Sequence, residues 1–142
     1  MTETSQNILI RSRQFGEFTV EPHNIFIFED GLLGFEDLHR YVLINSDQTA
    51  PFKWLLAVDE PEIGFPMLNP WFIDLGYKPG KKINPAIETP MVIVTLGSHA
   101  GEGITANMKA PVILNTENNT GVQVILTSEK YSTNQPLLPN NK

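Results

Sequence analysis

Seven prolines fall between positions 51 and 90, at Pro51, Pro61, Pro66, Pro70, Pro79, Pro85 and Pro90, with no two neighbours more than ten residues apart. Each removes a backbone donor and disfavours helical geometry in the residue before it. A helix of ordinary length, about 11 residues, finds little room there, so the segment reads as short strands and turns. Strand candidates rest on β-branched and aromatic content between breakers: Ile8 to Arg13, Phe15 to Val20, Ile25 to Phe28, Tyr41 to Asn45, Lys53 to Val58, Met91 to Leu96, Pro111 to Asn115 and Val122 to Thr127. Many short strands in a chain of 142 residues point to a barrel or a sandwich.

Two segments behave differently. From Val122 to Leu126 the pattern begins as an alternation and ends as a continuous apolar run, which predicts a strand buried on both faces at one end. Glu36 to Arg40 reads as one helical turn after Gly34; a longer helix from Phe35 into Leu43 competes with it, because no Gly or Pro interrupts that stretch. The C-terminal NQPLLPNNK carries too little apolar surface to order itself. Residues 1–138 are therefore expected to form one domain, followed by a mobile tail at 139–142.

Ten Lys and Arg face sixteen Asp and Glu, a formal net charge of −6. That balance argues against a phosphate backbone as ligand and favours a neutral or basic partner. Cysteine is absent, which excludes disulfides, thiolate metal sites and cysteine nucleophiles and is compatible with a reducing compartment. No stretch approaches the ~18 consecutive apolar residues of a bilayer span. The N-terminus has no basic segment followed by an apolar run, so neither export nor membrane insertion is expected. His23, His39 and His99 include no i, i+4 pair, and the chain has no GxSxG elbow, glycine-rich phosphate loop or HExxH. No metal and no catalytic residue is predicted. Gly101 to Gly103 reads as a turn.

The carboxylates carry more information. Asp59, Glu60 and Glu62 cluster around Pro61, and no Lys or Arg lies between Lys53 and Lys78; with Asp74 the stretch carries a charge of −4. One interpretation is an acidic patch that steers a basic partner, and a solvated turn has the same composition. A small enzyme or ligand-binding barrel would instead use Asp59 and Glu62 as an acid and base pair, with His99 or a bound cation, and would need one carboxylate desolvated. Trp54 and Trp71 flank this stretch, with Phe52, Phe65 and Phe72 nearby. Aromatics are usually core, but Trp71 and Phe72 follow the turn signal Asn69-Pro70 and are the better interface anchors. Asn107 and Lys109 sit at a strand end, where Asn commonly closes turns on its own backbone and Lys109 can snorkel over the sheet edge.

Several segments, in order, resemble the bacterial flagellar assembly factor FliW family. They are FGE at Phe15 to Glu17, GLLGFEDL at Gly31 to Leu38, PFKWLLAVDEP at Pro51 to Pro61, ITANMKAPVILNTEN at Ile104 to Asn118, GVQVIL at Gly121 to Leu126 and YSTNQPL at Tyr131 to Leu137. The PFKWL and TANxKAPxxxNxEN blocks are the specific ones. The resemblance implies a mainly β fold, a small antiparallel barrel-like single domain with at most one or two short helices. It also implies a non-catalytic cytoplasmic regulator, monomeric and without cofactor, that binds flagellin and the RNA-binding repressor CsrA by partner switching. Direct contact with nucleic acid or membrane is not part of that picture. Asp59 and Glu60 would then be charge partners, Trp71 and Phe72 apolar anchors, and Asn107 and Lys109 polar contacts. The chain departs from the family wording in places. Lys78, Lys81 and Lys82 stand among Pro79, Gly80 and Pro85 where the family often has an acidic helical insertion; Leu56 replaces a Gln; and Asn119, Thr120 and Val122 stand where basic residues are frequent. A purely structural oligomerising domain is the remaining possibility, and a large symmetric interface would identify it.

Overall fold

In the computed structural model, which describes residues 7–45, 47, 50–96 and 103–137, the chain forms eleven strands. They are β1 Ile8–Ser12, β2 Gly16–Val20, β3 Ile25–Ile27, β4 Arg40–Ile44, β5 Lys53–Ala57, β6 Gly64–Leu68, β7 Glu88–Thr95, β8 Thr105–Ala106, β9 Val112–Asn115, β10 Thr120–Gln123 and β11 Gln135–Pro136. Helical geometry among the described residues is confined to two 3-10 turns, Pro22–Asn24 and Pro70–Phe72, each opened by a proline whose fixed φ suits a first turn.

Pairing runs β3–β4–β5–β6–β7–β9–β10 and returns from β10 to β3, closing a seven-stranded barrel. Every pair in the ring is antiparallel except the closure, where β10 and β3 run parallel and meet at a single bridge, Thr120 opposite Ile27. β1 and β2 form a separate hairpin, while β8 pairs with the end of β7 and carries β11. This is the mainly β, barrel-like single domain that the strand pattern and the resemblance led one to expect.

Both faces of several strands are buried. Phe26, Phe28, Tyr41, Leu55, Met67, Met91 and Leu114 fill the barrel. Outside it, the hairpin lays Ile10 and Val20 on Ile25, Val42, Leu56 and Val58. On another flank Leu68, Val92 and Val94 are covered by Tyr77, Met108, Leu126 and Tyr131. Consecutive residues thus point into different cores, Leu55 inward and Leu56 outward, Met91 inward and Val92 outward. That is why these strands read as unbroken apolar runs rather than as a period of two.

Three expectations are corrected. β6 is a strand absent from the candidates within the stretch read as short strands and turns, and both Pro66 and Pro90, taken as breakers, sit inside strands. The Ala57 N–H donates to the Ile63 carbonyl, so alternation makes Leu55 and Phe65 a hydrogen-bonded pair and leaves Trp54 and Pro66 a non-hydrogen-bonded one. By the same alternation, the bond from Thr116 N–H to the Ile87 carbonyl turns the Pro90 nitrogen away from β9. Both missing donors face the β6–β7 seam, where pairing is confined to Met67 with Ile93 and Leu68 with Val92. The prolines shorten one seam and leave the strands intact.

Neither helix expected between Phe35 and Leu43 forms. Gly31 and Gly34 adopt φ of 67° and 86°, successive turns close from Phe35 N–H to Leu32 O and from Leu38 N–H to Phe35 O, and Arg40 already opens β4. The segment Val122 to Leu126 is not buried on both faces: Leu126 is buried, but Ile125 is 52% exposed. Past Gln123 the strand has left the barrel and has one core beneath it. His99, the first two residues of the Gly101 to Gly103 turn, and the tail at 139–142 lie outside the described residues.

Candidate partner-binding surfaces

The acidic turn follows from the meander. β3 and β5 both run antiparallel to β4, so the loops that leave them, 28–39 and 58–63, emerge at the same end of the barrel. Phe35 of the first loop packs edge to face on Phe65, in β6 just past the second, with ring centroids 5.0 Å apart. Glu29, Asp30, Glu36 and Asp37 thereby join Asp59, Glu60 and Glu62, and all seven are exposed. Neither loop holds a Lys or Arg; the nearest cation along the chain is Arg40, the first residue of β4. Sequence reasoning found the three around Pro61 and missed the other four, because only the pairing of β3 and β5 with β4 brings them near. Asp74 does not belong to the patch. β6 carries the chain to the opposite end, where the Asp74 carboxylate accepts from the Gly76 amide at 2.9 Å.

Within the patch the carboxylates differ. The Arg40 guanidinium forks onto Asp59, 2.6 Å from Nη2 to Oδ1 and 3.3 Å from Nε to Oδ2. That hydrogen bond holds the Asp59 carboxyl below the usual carboxylate range and pushes Arg40 up. Glu62 accepts from the Arg13 amide at 3.1 Å, tying the turn to the end of β1. Asp59 and Glu62 therefore face different partners. A group held in its charged form is also a poor proton donor near neutrality, which disfavours the acid and base pair. Among the described residues no group of three or more His, Asp or Glu is placed to hold a metal ion.

Trp71 and Phe72 part company. The Asn69 side chain accepts from the Trp71 amide at 2.8 Å, and the Trp71 indole donates to the Tyr77 carbonyl at 3.0 Å while packing against its ring. The Tyr77 hydroxyl in turn donates to the Met108 carbonyl at 2.6 Å. Burial, with the nearby Tyr131, pushes the Tyr77 hydroxyl well above the ordinary range, so it stays a donor. Trp71 thus fixes a loop that presents Phe72, 74% exposed, and Leu75, 89% exposed. Met108 lies between Asn107, whose side chain accepts from the Lys109 amide at 3.1 Å, and Lys109, whose ammonium donates to the Ser128 carbonyl at 3.1 Å. The fold brings Trp71, Phe72, Asn107 and Lys109 to one flank and leaves Asp59 and Glu60 at the acidic end.

Comparison with known proteins agrees with the geometry. A family model described as FliW protein matches residues 9–137. The chain is 40% identical over 136 residues to a protein named flagellar assembly factor FliW from Clostridium beijerinckii, covering 89% of this chain and 96% of that one. It is 32% identical over 142 residues to a protein of the same name from Caldanaerobacter subterraneus subsp. tengcongensis, covering 94% and 95%. A crystal structure of the flagellar assembly factor FliW superposes with a TM-score of 0.85 at 26% identity, over 94% of this chain and 99% of the other.

Proposed function

The chain belongs to the FliW family of flagellar assembly factors, and from that membership we propose that it is a monomeric, cytoplasmic binding protein that takes up flagellin or CsrA in alternation. CsrA represses flagellin translation, so its capture while flagellin is being secreted restores synthesis. The observation that carries this is the family match over residues 9–137. The surfaces fit it physically. Seven clustered carboxylates suit a basic RNA-binding partner, with Asp59 and Glu60 as charge partners. Phe72 on a loop stiffened by Trp71 suits an apolar segment, with Asn107 and Lys109 as polar contacts beside it. Catalysis by Asp59 and Glu62 is not favoured, since the two carboxylates answer to Arg40 and to the Arg13 amide.

Titration calorimetry with flagellin and with CsrA, each alone and with the other pre-bound, tests this. The expected result is binding to both, each weakening the other by the same factor. Binding to neither at micromolar concentration in low salt overturns the proposal, and a symmetric dimer by light scattering overturns its monomeric form.

A further inference from the structure

β10 does not end where its regular pairing ends. Past Gln123, the Val124 amide donates to the Pro111 carbonyl and the Leu126 amide to the Lys109 carbonyl, 2.9 and 2.8 Å, so the strand runs on beside the 109–111 segment. Alternation then turns the backbone of Gln123, Ile125 and Thr127 to the other side. On that side β3 has already left: it meets β10 only at Thr120, and Phe28 donates instead to the His39 carbonyl. Ile125 and Thr127 have no backbone hydrogen bond among the described residues.

Natural sheet edges are blunted by charge or proline. The β1–β2 hairpin carries Arg11 and Glu17, and β11 carries Pro136. From Thr120 to Ser128 this edge has no charged residue and no proline, and it is rich in β-branched side chains, with Val122 47% and Ile125 52% exposed. Two cavities run along it in succession. One of about 540 Å³ is lined by Ile27, Glu29, Asp30 and Thr120 to Gln123. The other, about 550 Å³, is lined by Val124 to Ser128 with Lys78 and Lys130, neither of which has an ion pair among the described residues.

We propose that the edge from Gln123 to Thr127 is a strand-addition site for an extended segment of a partner protein, apolar in its middle, basic where it passes Glu29 and Asp30, and acidic where it passes Lys78 and Lys130. The partner's main chain supplies bonds to Gln123, Ile125 and Thr127, and the two cavities read its side chains. A second copy of this chain fits less well. Five residues span about 17 Å, and two rigid barrels touching along that length bury less than the roughly 1,200 Å² of a stable interface, whereas a flexible segment can follow both cavities.

The inference rests on the proposed partner binding, and the experiment separates the two. Amide exchange is followed on the full chain alone, with flagellin, with CsrA, and with a synthetic seven-residue peptide that alternates Val and Thr between a Lys at one end and a Glu at the other. Protection at the Ile125 and Thr127 amides with any of these, reduced about tenfold or more in affinity by Ile125→Lys, is the expected result. Thr127→Pro is the second variant, and melting temperature confirms that both fold. Flagellin or CsrA binding with no new protection at these amides overturns strand addition and leaves the proposed function standing. Failure of both proteins to bind, with the peptide still protecting the edge, does the reverse. No protection under any condition, or a dimer that Ile125→Lys abolishes, overturns the assignment of a partner strand.

Discussion

Gly121 shows how a single position serves closure of the barrel. A Cβ built there would lie 2.1 Å from the Phe28 ring, and Phe28 is fully buried, so the ring has nowhere to go. Gly121→Ala is expected to cost about 1–3 kcal/mol by overpacking, read from the denaturation midpoint; an unchanged midpoint would mean that the barrel relaxes there. Tyr41 poses the opposite case. Its hydroxyl is buried in the barrel with no hydrogen-bond partner among the described residues, and burial pushes it up to about 12. Removing an unpaired hydroxyl is close to neutral or favourable, so Tyr41→Phe should leave stability unchanged or raise it by about 1 kcal/mol; a clear loss would reveal a partner. Asp59 supplies a pH dependence. Because its folded-state pKa is depressed, its contribution is present above the unfolded carboxyl value and is lost as the pH falls through the folded one. Arg40→Met should raise the Asp59 midpoint toward the ordinary carboxyl range in an NMR titration and flatten stability against pH in the acid range. The size of the effect is under about 1 kcal/mol, since both side chains are half exposed.

Side chains supplement the closing seam, and at one end of it the Asn119 side-chain amide donates to the His23 carbonyl. Gln123 accepts from the Leu33 amide at 2.8 Å and donates to the Ala110 carbonyl at 3.1 Å, stitching the 28–39 loop to the segment before β9 across the gap that the single β3–β10 bridge leaves. Gln123→Ala is expected to cost about 1–2 kcal/mol and to speed exchange of the Leu33 amide; unchanged exchange would assign the seam to apolar packing. Such a contact spans 90 positions and has no local signature, which is why the GVQVIL segment was legible as a strand while its stitching was not. The same divide runs through the other elements. β-branched content found β1 to β5, β7, β9 and β10, but Pro66 hid β6 because a single chain does not say which neighbour its missing donor faces. β8 and β11, two residues each, exist only because β7 continues past β9. Trp71 and Phe72 are identical in local pattern, and only the 3-10 turn at Pro70 decides that one packs and the other protrudes.

Over the whole molecule, the net charge of −6 conceals a division. Seven exposed carboxylates crowd one end of the barrel, while Lys78 and Lys130 border the cavity beside Leu126, and Lys109 reaches Ser128 on the same flank. Partners of opposite charge can therefore engage different stretches of the surface, Asp59 and Glu60 for one and the lysine-bordered cavity for the other, and alternation between them does not require that they overlap. If they act through distinct faces, the coupling is a free energy carried by the barrel and must be reciprocal. The acidic end makes one half of this measurable. Glu36 and Glu60 stand on the two loops that emerge at this end, the first of them packed through Phe35 on Phe65 of β6. Among the described residues Glu60 enters no ion pair, and the Glu36 carboxylate is held by the Gly34 amide and its own backbone amide, so reversing both should disturb the field more than the fold. Glu36→Lys with Glu60→Lys is expected to slow association of CsrA about tenfold or more at low salt, with a much smaller change in dissociation and a flatter salt dependence, in stopped-flow measurements. Flagellin association should change less if it uses the Phe72 flank. Equal loss for both ligands would place them on one surface and make their exclusion steric; a loss confined to CsrA, with the reciprocal coupling intact, would locate the switch in the barrel between the two faces.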